Sequence, residues 1–525
     1  MSNIRCLTFV LRVFFAIIIF MAVKLHAAET IGLDGEIIDV EVDYSKGLRS
    51  FTIVGLADKA VDEAKERISY AIKNIGLKPP HKQNQKVIVS LAPADLKKEG
   101  SAFDLAIALG YVLASKQARF ETEGKMFLGE LSLDGGLRPI KGVLALARKA
   151  RNEGFKEIFV PLGNGREAAI IEGLKVFETE SLTRILEHLS GIKTLEPLPK
   201  TEIDFKSSET KHDLADIRGQ DAAKRALMIA ASGGHNLLMT GPPGTGKTIL
   251  ARALPSILPP LNKEEAMEVT TIQSIAGTLE GPFATERPFR NPHHTASYVA
   301  MIGGGAWPKP GEVTLAHRGV LFCDEFPEFE RRVIESLRQP LEDGVVSVAR
   351  ARGTVRFPAK FMLVAAMNPC PCGNLGSKNK MCLCSPSSLF RYQRKISGPI
   401  ADRIDLWIEV ENIAQEKLSE KREDDVSAKI GVNVLAARNI QQERLKEKKL
   451  YSNSEMDLRD LEEFAPLSSD ARNVLNQAAK HMDLSPRAYH RVIKISRTIS
   501  DLESESEIKQ GHILEALQYR PRTNF

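Results

Sequence analysis

The chain has 525 residues, long enough for three or four domains. Its 43% hydrophobic and 26% charged residues exclude a biased, low-complexity polypeptide and read as a soluble globular protein. The net charge of +5 is compatible with a polyanionic partner but too small to name one.

The N-terminus carries Arg5, an apolar stretch to Val23, and then Leu25-His-Ala-Ala28, a pattern that resembles a secretory signal. Arg12 interrupts it, and the uninterrupted run from Val13 to Val23 is too short to span a bilayer. Residues 1–20 are therefore expected to be a non-native extension upstream of Met21, with a signal-like segment as the competing reading. From Ile37 the sequence alternates as half-buried strands do, and Phe51-Thr-Ile-Val54 continues that pattern. Helical spacing follows over Ala60–Ile75, a strand over Lys86–Leu91, and a helix over Ser101–Leu113. A hairpin is expected around Asp134-Gly135, then a helix over Lys141–Arg151 and a strand over Glu157–Val160. Residues 195–212 are polar, contain prolines and lack periodicity, which predicts a linker.

Leu237-Leu-Met239 reads as a short buried strand, Gly241-Pro242-Pro243-Gly244-Thr245-Gly246-Lys247-Thr248 fits G-x-x-x-x-G-K-[ST], and a good helix former follows. Glycines let backbone N–H groups close around phosphate oxygens. Lys247 supplies charge to the β- and γ-phosphates, and the Thr248 hydroxyl suits Mg²⁺. The apolar strand before Asp324-Glu325 ends in two acids: the first is expected to hold Mg²⁺, the second to polarise the attacking water. A third apolar strand ends at Asn368. Val345 to Phe357 reads as a hairpin whose Arg350, Arg352 and Arg356 are candidates for contacting DNA phosphates, or else a solvated surface. His293-His294 is expected to serve a loop, because adjacent side chains diverge.

Cys370-Pro-Cys372 and Cys382-Leu-Cys384 are two close thiol pairs separated by nine residues. That spacing predicts a closed tetrahedral Cys₄ zinc site, structural rather than catalytic, with a disulfide pair or unligated thiols as alternatives. Cys323 reads as a small core residue. Residues 411–525 are helical in pattern, with charge runs such as Gln415–Asp425 expected to be solvated.

The set Gly241–Thr248, Asp324-Glu325, Asn368, Arg403 and Arg487 resembles the AAA+ ATPases of the magnesium-chelatase-like branch, and the ComM/YifB proteins most closely. The most telling strings are Phe51-Thr-Ile-Val-Gly-Leu56, Ala92-Pro-Ala-Asp-Leu96, Gly129-Glu-Leu131, Phe289-Arg-Asn-Pro-His-His294, Met367-Asn-Pro-Cys-Pro-Cys372 and Arg487-Ala-Tyr-His490. The resemblance runs from residue 21 to about 520, and family members begin near the equivalent of Met21. It implies an α/β fold: a Lon-protease-like (S5 domain 2-like) α+β domain at 21–194, an AAA+ P-loop core at 213–410 with the cysteine insertion at 370–384, and a helical lid at 411–525. Asn368 is expected as sensor 1 and Arg487 as sensor 2 from the lid. Arg403 is expected as the arginine finger toward a neighbouring subunit, with Arg391 and Arg394 as rivals. In the Lon-like domain alanine stands at Ala102 where the nucleophilic serine aligns, and the lysine position falls near Leu144. Ser101 is one residue off and Lys141 one turn early, so peptide hydrolysis is not expected. The resemblance implies a cytoplasmic hexameric ATPase using ATP, Mg²⁺ and structural Zn²⁺, acting on DNA by branch migration or unwinding, with no membrane partner. The alternative is a chelatase-type ATPase subunit that remodels a protein.

Overall fold

The computed structural model describes residues 22–56, 58–80, 84–98, 100–203, 212–305, 308–350, 353–376, 380–412 and 426–521. The segment 1–20, residues 204–211 of the expected linker, Arg352 and the charge run Gln415–Asp425 lie outside the described residues, as does the side chain of Arg350. The described residues form two compact units, each discontinuous in sequence: 22–203 with 270–284, and 212–269 with 285–521.

The first unit is built on a seven-stranded sheet. Its strands are β1 (Val23–Ile31), β2 (Asp34–Lys46), β3 (Ser50–Val54), β4 (Gln85–Ala92), β5 (Lys125–Phe127), β8 (Glu157–Pro161) and β9 (Lys175–Thr179), in the order β3-β4-β2-β1-β5-β8-β9. A short hairpin, β6 (Glu130–Leu131) with β7 (Leu137–Arg138), stands at the expected Asp134-Gly135 turn. Along β2, buried Ile38, Val40 and Val42 alternate with Asp39, Glu41 and Asp43, the two-residue period that gives a sheet one apolar face. Leu25, Ala27 and Ala28, part of the signal-like string, are fully buried in β1, which pairs with β2 on one side and β5 on the other. Cleavage after Ala28 would remove most of a central strand. The helices α1 (Lys59–Asn74), α2 (Asp104–Ala114), α3 (Val143–Asn152) and α4 (Leu182–Leu189) supply the rest of this core. Asp58 caps α1 through Val61 N, and Asp104 at the start of α2 takes Arg67 in a two-pronged pair.

Residues 195–203, expected as linker, lie against this unit instead: Leu198 N donates to Val176 O at 2.8 Å and Thr201 N to Ala169 O at 3.1 Å. The segment 270–284 belongs here as well. The Ser274 hydroxyl donates to the buried Glu167 carboxylate and accepts from Gly142 N at 2.9 Å, while Leu144 N donates to the same carboxylate at 2.8 Å. Near the positions where the resemblance implies a dyad, Leu144 is buried and Ser101, next to Ala102, bonds Glu130.

The second unit has a five-stranded, all-parallel sheet in the order β11-β14-β17-β10-β18. The strands are β10 (Leu237–Thr240), β11 (Phe289–Arg290), β14 (Val320–Cys323), β17 (Met362–Met367) and β18 (Leu406–Glu409). A two-residue ribbon, β12 (Gly303–Gly304) with β13 (Lys309–Pro310), and the hairpin β15 (Val345–Arg350) with β16 (Gly353–Pro358) project from the connections. The sheet strands are near-continuous apolar runs because helices cover both faces of a parallel sheet. The helices used below are α5 (Asp221–Gly233), α6 (Lys247–Ala253), α7 (Pro386–Gln393), α8 (Val426–Leu445), α9 (Leu458–Phe464), α10 (Ser469–His481), α11 (Pro486–Leu502) and α12 (Gln510–Gln518). Residues of α8, α11 and α12 share one apolar core with the sheet and α5.

Polar groups tie the C-terminal helices together at depth. Asp501 on α11, fully buried, accepts from Arg497 Nη2 at 2.8 Å, from Arg444 at 2.7 Å on each carboxylate oxygen, and from Asn453 Nδ2 at 2.8 Å. Removing the acid leaves buried guanidinium charge uncompensated, which typically costs about 3–5 kcal/mol. Asp501→Ala is therefore expected to lower the thermal unfolding midpoint of the second unit by several degrees, measured by calorimetry on the full chain.

Candidate functional site

Parallel strands place all their C-terminal ends along one edge, where the loops converge on a ligand. The loop after β10 is the P-loop. Gly241 begins it under tight constraint: a Cβ there would come 2.2 Å from Val410 O. Gly244 and Gly246 have φ +82° and +92°, a left-handed conformation that favours glycine. Thr245 Oγ1 donates to Pro242 O at 3.0 Å and steadies the turn.

Lys247 opens α6 and is buried beneath the loop. Its Nζ donates to Gly241 O at 2.6 Å, to Pro242 O at 2.9 Å and to Asn368 Oδ1 at 3.4 Å. Burial lowers its pKa from the ordinary lysine value, and Asp324 and Glu325 partly oppose that shift. An ammonium group so desolvated is well suited to a polyphosphate. Thr248 Oγ1 donates to Asp324 Oδ2 at 2.8 Å, so the hydroxyl and the carboxylate expected to hold Mg²⁺ already face each other. These oxygen donors fit a hard divalent cation. Asp324 Oδ1 accepts from Glu325 N at 2.9 Å, and Glu325 has φ +50°, a left-handed turn that aims its exposed carboxylate away from the strand. The thiol of Cys323, inside β14, is pushed up to about 12 by burial.

His294, expected only to serve a loop, stands with Nδ1 3.4 Å from Glu325 Oε2, and its ring lies 4.2 Å from that of His293. It reaches the acid because β11, just before it, is the parallel neighbour of β14. The sole sequence signal was the His-His string upstream of the acidic strand.

Arg403 lies at the other edge of the sheet. Asn236 Nδ2 donates to the Arg403 backbone carbonyl at 2.8 Å, and Asn236 precedes β10 as Asp405 precedes β18. The four-residue strand β10 spans about 13 Å between that edge and the P-loop. The Arg403 guanidinium bonds Glu342 and Pro399 O, and its buried Nε has no hydrogen-bond partner among the described residues. Arg487, in the first turn of α11, lies 3.7 Å from the same Glu342 carboxylate. The two arginines thus share one acid that sequence reading did not single out. Arg403 and Glu342 line a polar cleft of about 590 Å³ that also receives Lys360, Asp405 and Lys494. Arg391 and Arg394 are exposed on or just after α7, with Arg394 over the Phe390 ring at 4.8 Å. Arg356 is exposed on β16 opposite Ser347.

The four cysteines converge, with all sulfurs within 4.8 Å of one another. Cys370–Cys372 is 3.4 Å, and Cys370–Cys382 and Cys372–Cys382 are each 3.7 Å. Tetrahedral zinc with its usual ~2.3 Å bonds needs sulfurs about 3.8 Å apart, so the set fits that ion. Backbone N–H groups of Asn374 and Leu383, then the Cys370 thiol, lower Cys372 to about 6, and Leu375 N donates to Cys370 Sγ at 3.3 Å. Such donors favour thiolates.

Lys247→Ala is expected to abolish nucleotide binding measured by equilibrium titration. Glu325→Gln is expected to bind ATP yet turn over at least 100-fold more slowly, about the scale of a lost catalytic acid–base group. Normal turnover by that variant would show that another group activates the water.

No helix among the described residues is long and apolar enough to cross a membrane. Three family models match in succession: subunit ChlI of Mg-chelatase over residues 40–164, magnesium chelatase subunit ChlI over 213–418, and its C-terminal region over 424–520. The chain is 42% identical to the competence protein ComM of Haemophilus influenzae, over 94% of this chain and 96% of that protein. It is 41% identical to the YifB protein of Salmonella typhimurium over the same shares. The magnesium-chelatase 67 kDa subunit of Heliobacterium mobile is 30% identical, over 30% of this chain and 28% of that protein. The chain belongs to the ComM/YifB family of magnesium-chelatase-like AAA+ ATPases.

Proposed function

We propose that the chain is a Mg²⁺-ATP-driven motor that works on DNA as a cytoplasmic ring of six subunits, migrating or unwinding branched recombination intermediates during uptake of transforming DNA. The observation that carries this reading is the separation of catalytic parts across the sheet. Residues 241–248 cradle the phosphates, Thr248 and Asp324 hold Mg²⁺, Glu325 polarises the water and Asn368 senses the γ-phosphate. Arg403 and Arg487 stand at the opposite edge, where no P-loop of the same chain can meet them. In this reading Arg403 is the finger for the nucleotide of the next subunit and Arg487 is sensor 2 of the lid, so assembly is a condition for hydrolysis, and a finger is typically worth ~10³–10⁵ in rate. Cys370, Cys372, Cys382 and Cys384 hold one structural zinc. The DNA assignment draws on the relative named a competence protein, similar over nearly its whole length. Exposed Arg356 on β16 is the candidate phosphate contact, with Arg350 and Arg352 as further candidates from the sequence.

The competing reading is a chelatase-type ATPase that remodels a protein partner. The magnesium-chelatase relatives are similar over 30% and 36% of this chain, which favours the motor reading. ATPase rates with and without a four-way DNA junction separate the two. Stimulation of at least severalfold is expected, and a rate indifferent to every DNA structure would overturn the DNA assignment.

A second test addresses the trans arginine. Arg403→Ala and Glu325→Gln should each be nearly inactive. In a mixed ring, an intact Glu325 from one chain faces an intact Arg403 from the other, and part of the ATPase activity returns. Mixed assembly is first established by tagged co-purification. Mixed rings without recovered activity would assign Arg403 to its own chain or the finger to Arg394.

A further inference from the structure

The cysteine cluster is joined to the nucleotide site by two contacts that neither the P-loop motif nor the ligand set requires. Gly373 follows Cys372 with φ +76°, and it approaches Pro243 so closely that a Cβ there would come 2.7 Å from the ring carbons. Pro243 is a P-loop residue, exposed between Pro242 and Gly244. The second contact involves α7, whose cap Ser385 directly follows Cys384. Burial raises the pKa of the Tyr392 phenol on α7, and the backbone N–H of Asn368 opposes that shift, so the phenol and the Asn368 amide are neighbours. The chain therefore leaves the sheet at Asn368, touches the P-loop at Gly373, gathers four thiols, and returns to Asn368 through Tyr392.

Among the described residues, the apolar side chains at the far end of this excursion are exposed. Met381 and Leu383, which flank Cys382, are 83% and 86% exposed. The Cys370–Gly373 turn is closed by its own backbone, Gly373 N donating to Cys370 O at 3.0 Å, and the sulfurs join it to the exposed arm that carries Cys382 and Cys384. A metal that closes the loop between Cys370 and Cys384 removes conformational freedom from the turn that abuts Pro243. A P-loop already braced loses less entropy when it closes on phosphates.

We propose that the metal-loaded cluster is a positioning element of the nucleotide site: zinc on Cys370, Cys372, Cys382 and Cys384 holds Gly373 against Pro243 and, through Tyr392, holds Asn368, so that zinc and nucleotide bind with positive coupling. This rests on the zinc and P-loop readings given above. Coupling between two bound ligands is reciprocal, the same factor appearing in both affinities. Gly373 and Tyr392 act through the P-loop and Asn368, as positioning residues.

The test uses the full chain from Met21. Metal analysis comes first and should return about one zinc per chain; no zinc in the reduced, intact protein overturns the site and the inference together. Zinc affinity is then measured by competition with a chromophoric chelator, with and without saturating Mg²⁺-ADP. ADP is expected to raise zinc affinity about tenfold, within the usual range of coupling between sites. Zinc removal should weaken binding of a fluorescent ADP analogue by the same factor. A zinc affinity indifferent to ADP, in protein that binds both, overturns the coupling and leaves the zinc site standing. Gly373→Ala should keep one zinc and bind ADP about tenfold more weakly. Unchanged ADP affinity in that variant overturns the role of the Pro243 contact. If the variant folds poorly, the wild-type competition experiment still decides, because it needs neither a substitution nor a metal-free protein.

Discussion

The parallel alignment of the five strands in the ATPase sheet is the constraint on which the site depends. Parallel strands separate their starts from their ends, and here every group that handles phosphate or metal stands at the ends: the P-loop after β10, Asp324 and Glu325 after β14, Asn368 after β17. Arg403 and Asp405 come just before β18 and therefore stand with the starts. No side-chain rotation carries a guanidinium across the sheet. Glu342 there engages Arg403 and lies within reach of Arg487.

Much of that site was legible in the sequence because its parts are local. A glycine loop before Lys247-Thr248, two acids at a strand tip and two C-x-C pairs each declare their chemistry within a few residues. The contacts between them were not legible. His294 reaches Glu325 because two strands far apart in sequence are neighbours in the sheet. Glu342 meets Arg403 and Arg487 from a stretch with no motif, and Gly373 meets Pro243 because two loops leave the same edge. The N-terminal strands were legible from their alternation, and Leu25-His-Ala-Ala28, whose small apolar composition suits a signal segment as well as a strand, lies in β1. Residues 195–203 misled because their polarity hid two backbone hydrogen bonds to the first unit.

The N-terminal unit shows buried polar groups answered within its own core. Leu144 is buried, and Ser101 is engaged with Glu130. Its neighbouring polar group, Glu167, is raised in pKa by burial and answered by Ser274 and the N–H of Leu144. Those contacts hold chain in place; none presents a nucleophile.

The membership of residues 270–284 in the first unit bears on the order in which the protein can be made. During synthesis the seven-stranded sheet is complete in sequence by residue 179, but Ser274 is still almost a hundred residues from being joined to the chain. Until then Glu167 lacks its Ser274 partner at a buried position. The first unit emerges from the ribosome unfinished and waits for a piece encoded within the ATPase. A shortened transcript ending between the two would release a domain with its sheet formed and a carboxylate facing an open seam, a natural target for quality-control proteolysis.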